Sequence, residues 1–131
     1  MDAQRIEHLK LIQAVVNRLA TNSLECKKWS VALTSALLGW ATLQSTQRYM
    51  FAVAFIPAVV FWLLDAYYLH QERLFRDLYD QTRLDPNPPD FAMRTPAHRQ
   101  TYAQALCTPC TYAVHIVVIG LCGALTLSLT R

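Results

Sequence analysis

Apolar and polar positions along this chain are blocked rather than interleaved. Three runs lack Asp, Glu, Lys and Arg altogether: 29–47 with 19 residues, 49–64 with 16, and 100–130 with 31. About 20 helical residues cross a hydrocarbon core of about 30 Å, so uncharged runs near that length are transmembrane candidates. The pattern predicts spans over 29–44, 49–69 and 109–130 of an all-α membrane protein. The second span reaches full length only if Asp65 lies near an interface.

Outside these runs the pattern changes to helical amphipathicity. Ile6, Leu9, Ile12, Val15, Val16 and Leu19 fall on one broad arc, with Glu7, Lys10, Asn17, Arg18 and Asn22 on the other. This predicts an amphipathic helix over 3–25, within a cytoplasmic segment 1–28. It either lies on the membrane surface or packs on another helix. Packing is the favoured reading, because the arc is wide and a matching stripe exists elsewhere.

That stripe lies in the stretch the rest of the chain is organised around. Residues 49–83 read as one helix of roughly 50 Å, a membrane span that continues as a charged stalk. On a 100° projection Ala54, Ala58 and Asp65 share one side, which Glu72, Arg76 and Arg83 continue. Leu74, Phe75, Leu78 and Tyr79 read as an apolar stripe opposite them, the candidate oligomer interface or the seat of the N-terminal helix. Glu72–Arg76, Arg73–Asp77 and Arg76–Asp80 are i,i+4 pairs that support the helix.

Proline punctuates the rest. Pro57 stands inside the second predicted span as a passive kink or a hinge. Asp85-Pro86-Asn87-Pro88-Pro89 stops the stalk. Thr95-Pro96 and Thr108-Pro109 each read as a cap followed by proline at the first helical position. They predict a short helix from Pro96 to about Leu106 and the start of the third span. Residues 70–108 thus form a cytoplasmic stalk and loop.

Charge adds orientation. Ten of the twelve Lys and Arg residues fall in 1–28 and 70–105. By the positive-inside rule this predicts a cytoplasmic N-terminus and an external C-terminus. No cleavable signal peptide is expected, since residues 1–28 are charged and lack an apolar core.

Chemistry enters at few positions. The chain has no H-E-x-x-H, P-loop, G-x-S-x-G or dinucleotide-binding glycine pattern, so an enzyme is not expected. Asp65 and His115 are ionisable groups inside predicted spans and, with Pro57 and Ala58, are the pore or gate candidates. Counted from the cytoplasmic ends of their antiparallel spans, Asp65 and His115 stand at matching depth and are expected to approach each other. A competing arrangement pairs Asp65 with Lys28. Arg73, Arg76, Arg83, Arg94 and Arg99 are the candidates for holding an anion such as a lipid headgroup, a nucleotide or a single-stranded nucleic acid. Five acids share that segment, so a topology signal explains the arginines about as well. Cys107-Thr-Pro-Cys110 is a CxxC with proline, but no βαβ unit surrounds it, and a zinc site would lack two ligands. Structural cysteines are the favoured reading; no metal or cofactor is expected.

Two segments, HLKLIQAVVNRLATNS (8–23) and FWLLDAYYLHQERLFRDLYDQTR (61–83), resemble small bacterial membrane proteins of anti-phage defence operons, the membrane channel effectors of Hailong systems. The resemblance covers roughly a third of the chain and assigns no individual ligand-binding residue. It implies a homo-oligomeric channel in the bacterial inner membrane, C-terminus in the periplasm, restrained by a cytoplasmic nucleic-acid ligand. The implied partner is a nucleotidyltransferase that makes single-stranded DNA oligomers. The reading from the residues keeps three functions open. They are a gated homo-oligomeric channel that depolarises the cell, a non-conducting membrane anchor for a soluble partner protein, and a small proton-coupled transporter subunit.

Overall fold

The computed structural model describes residues 3–43, 53–87, 90–95 and 101–129, and these are helical apart from short connections. Helix α1 is Ala3–Leu43, α2 is Phe55–Leu84, α3 is Tyr102–Leu106 and α4 is Pro109–Leu129.

Helix α1 runs 41 residues without a break, roughly 60 Å. The amphipathic helix and first span expected as separate segments are one rod. Neither proline nor glycine occurs before Gly39, so nothing in residues 25–29 interrupts the backbone ladder. Helix α2 ends at Leu84. Asp85 adopts the extended conformation (φ −67°, ψ 126°) that a following proline demands. The start of the expected 49–83 helix, 49–52, lies outside the described residues. Pro57 is the third residue of α2, in the first turn, where a missing N–H leaves no intrahelical bond unmade. Ahead of α2, Val53 is helical and Ala54 a turn; residues 49–52, on which a kink or hinge at Pro57 would be read, lie outside the described residues.

Helices α1 and α2 pack antiparallel. Ile12 and Val16 of α1 enclose Leu78 of α2, and Phe75 and Tyr79 pack against this cluster. The stalk stripe is thus covered by α1 of the same chain; Leu74 is half-buried at its edge. The expectation that this stripe opposes Asp65 is corrected. Seven-residue steps lead from Asp65 through Glu72 to Tyr79, so both sets turn toward α1. Farther along, buried Ala54, which precedes α2, Ala58 of α2 and Ala41 of α1 keep the packing close.

The loop after α2 folds back onto the start of α1. Arg5 donates to the Asn87 carbonyl at 2.8 Å, and Phe91 lies 5.3 Å from the buried His8 ring. Phe91 has φ 56°, and the Asp90 carboxylate accepts the Ala92 N–H at 2.9 Å across it. Of the helix expected over 96–106, 96–100 lies outside the described residues. Thr101 precedes the observed α3, and its N–H donates to Gln104 Oε1 at 3.0 Å.

Among the described residues one helix is long and apolar enough to cross a membrane, Pro109–Ser128 of α4, with mean hydropathy 1.9. The described uncharged parts of α1 and α2 are shorter.

Candidate functional site

One seam of α1 organises the interior. Leu9, Ile12, Val16, Leu19, Ser23, Cys26 and Ser30 follow three-four spacing, the repeat that keeps one face on a partner helix. All but Leu19 are buried. The seam is apolar up to Leu19 and polar from Ser23 to Thr34. Where it turns polar, α2 presents Asp65 and α4 presents His115.

Asp65 has no exposed surface. Its Oδ1 accepts from Ser23 Oγ and from Lys27 Nζ at 2.6 Å. Lys27 also donates to Ser23 Oγ at 3.0 Å, closing a triangle. Asp65 Oδ2 faces His115 Nε2 at 3.5 Å, and His115 Nδ1 lies 3.2 Å from Ser30 Oγ. Which of these two donates depends on the imidazole tautomer. Three helices are thereby joined by Ser23, Lys27, Asp65, His115 and Ser30. Thr34 and Thr111 are buried beside this centre, each one turn along its helix from Ser30 or His115, and among the described residues neither hydroxyl has a hydrogen-bond partner.

Charge balance explains why the centre is stable in the interior. A buried carboxylate is costly unless paired and hydrogen-bonded. Lys27 supplies the charge and Ser23 the second bond, while the lysine stem, with 20% side-chain exposure, reaches the edge of the bundle. Cys26 lies on the same seam; burial first, then the Asp65 charge, push its thiol up, against a smaller pull from Lys27.

The expected approach of Asp65 and His115 is present. The competing partner is corrected: the lysine on Asp65 is Lys27, one turn from Ser23, whereas Lys28 is exposed and paired with Glu25 at 2.6 Å. Ala58 is buried two turns from Asp65. Ser23 and Ser30 carry no role in the sequence reading, and Lys27 reads there only as a membrane-boundary residue with Lys28 and Trp29. The seam spacing marks Ser23 and Ser30, since it runs unbroken out of the apolar part of α1.

The arginines do not form one site. Arg73 donates to Thr108 Oγ1 at 3.0 Å, tying α2 to the turn between α3 and α4. Arg76 pairs with Glu72 at 2.5 Å, and Arg83 approaches Asp80 at 3.8 Å. Both open onto grooves between α1 and α2, Arg76 beside Gln13, Asn17 and Tyr79 and Arg83 beside Lys10 and Gln13. Arg94 is exposed in the loop, and Arg99 lies outside the described residues. Among the described residues no three His, Cys, Asp or Glu side chains gather as a metal site.

The surface around the polar centre is apolar. Trp29, Val31, Leu33 and Trp40 of α1 are exposed, as are Ile56, Val59, Val60, Leu63 and Leu64 of α2 and Ile116, Val117, Leu121 and Leu127 of α4. Ala113, Gly120 and Ala124 of α4, small residues that share a side and read from the sequence as a packing face, are exposed as well; the side that packs carries Thr111, His115 and Cys122. No protein-family model matches the chain, and no curated protein or solved structure is detectably similar to it.

Proposed function

We propose that the chain is an integral membrane protein that conducts ions when a buried charge latch opens. The observation that carries this reading is the inverted distribution of polarity around Asp65: charge and hydroxyls inside, large apolar side chains outside. In water that arrangement leaves an extended apolar surface uncovered, whereas in a bilayer it is the expected one. The same inversion runs along α1 from Trp29, the first half of α2 and α4, so all three are assigned as crossing segments. The distribution of Lys and Arg supports a cytoplasmic N-terminus and a periplasmic C-terminus.

In this reading Lys27, Asp65 and His115 hold three helices together, and loss of that contact frees them to move. Three helices packed on a closed centre enclose no pore, so conduction requires several copies. An anionic cytoplasmic ligand, a nucleotide or single-stranded DNA, would act on the stalk through Arg76 and Arg83 and bias the latch. The test is ion flux in liposomes. Asp65→Asn is expected to raise flux above wild type, and His115→Gln to change its dependence on pH between about 5 and 8. Flux no greater than in empty liposomes for all three proteins, at every pH, would overturn conduction.

A second reading, a non-conducting anchor for a soluble partner, is favoured by one fact: Asp65 and His115 are wholly enclosed within a single chain. It predicts no flux from any variant, together with a partner protein bound by the α1–α2 stalk.

A further inference from the structure

The chain holds two kinds of cysteine. Cys26 and Cys122 are buried, and Cys107 and Cys110 are exposed. The packing role that serves the first pair does not describe the second. Cys107 ends α3 with φ −89° and ψ 9°. Thr108 caps the next helix: its carbonyl accepts the N–H groups of Thr111 at 2.9 Å and Tyr112 at 3.0 Å. Pro109 opens α4, and Cys110 is its second residue. The two thiols therefore flank a helix-opening turn with proline at the first helical position, the kind of setting in which CxxC dithiols undergo exchange.

The turn is held from outside the motif. Thr108 Oγ1 donates to the Gln104 carbonyl at 3.0 Å and accepts from Arg73 at 3.0 Å. A disulfide requires Cα atoms about 4.4–6.8 Å apart, which a chain that bends over three residues can reach. The loop so closed is short and its geometry already set, so ring closure orders little new chain.

We propose that Cys107 and Cys110 form a redox-modification site, a dithiol that closes to an intrachain disulfide by exchange with a small-molecule disulfide such as oxidised glutathione. One protein thiolate attacks a sulfur of the small disulfide, whose S–S bond breaks, and one small thiol leaves. The second protein thiol loses its proton and attacks the cysteine sulfur of the mixed disulfide. The Cys107–Cys110 bond forms and the second small thiol departs. The cysteine pair gives up two electrons, and the small disulfide is reduced to two thiols.

The test is incubation of the full-length protein, in detergent micelles, with oxidised glutathione, read by intact mass and peptide mapping. The wild type is expected to lose the mass of two hydrogens and two free thiols, with the new bond mapping to residues 107 and 110. Cys107→Ser and Cys110→Ser each remove the resolving thiol and are expected instead to retain one glutathione. Stable glutathione adducts on the wild type, a disulfide-linked dimer, or no reaction at either cysteine would each overturn the proposal.

Discussion

Replacing Lys27 by methionine keeps most of the side-chain stem and removes the charge that lies 2.6 Å from Asp65 Oδ1. The two ends of the pair are unequal. Asp65 has no exposed surface, while Lys27 retains 20%. Removing the cation strands a carboxylate in the interior; removing the anion leaves an ammonium that can turn outward. At an effective dielectric of about 20, the two charges attract by roughly 6 kcal/mol. The Ser23 hydrogen bond to the carboxylate, worth about 1.5–3 kcal/mol, survives the substitution. That bond is common to both proteins and cancels in the difference. The desolvation that the partly exposed lysine no longer suffers offsets part of the lost attraction, so the net cost of Lys27→Met is about 3–4 kcal/mol, within the range for breaking a buried pair from one side. Asp65→Asn, which keeps an acceptor for Ser23 and frees Lys27, is expected to cost about 1–2 kcal/mol. The double variant should be more stable than Lys27→Met alone, giving a coupling energy of about 2 kcal/mol. Denaturant unfolding in micelles, followed by the fluorescence of Trp29, Trp40 and Trp62, measures all three. A Lys27→Met cost below about 1 kcal/mol, or strictly additive single changes, would refute the latch.

Other expectations follow from the same contacts. Leu78→Asp places an unpaired charge against Ile12 and Val16; it should destabilise the α1–α2 stalk by roughly 2–4 kcal/mol, and unchanged thermal unfolding would exclude this packing. Burial holds Cys26 above its ordinary thiol range, so in the folded protein at neutral pH Cys107 and Cys110 should be alkylated well before Cys26; mass spectrometry of a time course reads the order. If the stalk binds a single-stranded oligonucleotide, Arg76→Ala with Arg83→Ala should weaken binding about tenfold or more and flatten its salt dependence; unaltered binding would remove these arginines from the proposal.

The helices and the pairing of Asp65 with His115 were legible because both rest on simple periodicity. Charge-free runs, proline stops and depth counted along antiparallel rods need no tertiary knowledge. The continuity of α1 was obscured because Lys27, Lys28 and Trp29 are the residues expected at a membrane boundary, and a boundary in polarity is not a break in a helix. Which lysine meets Asp65 depended on a 100° difference between neighbouring residues, and only the seam through Ser23 and Ser30 resolves it. The stalk stripe covers a wide arc: at 100° per residue Tyr79 lies only about 40° from Asp65 while Leu74 lies opposite, and grouping the four residues as one face hid the side that packs. The arginines looked like one cluster in sequence; their partners Thr108, Glu72 and Asp80 divide them.

The central claim is that an inside-out bundle lies in a bilayer, with the helices around Asp65 crossing it. Single cysteines at Leu43, exposed at the end of α1, and at Asn87, exposed beyond the end of α2, test it most directly. They are placed in a Cys107→Ser, Cys110→Ser background and probed in intact cells with a membrane-impermeant maleimide. The account predicts that Leu43→Cys is labelled from outside and Asn87→Cys only after permeabilisation. Labelling of both from the same side would contradict it.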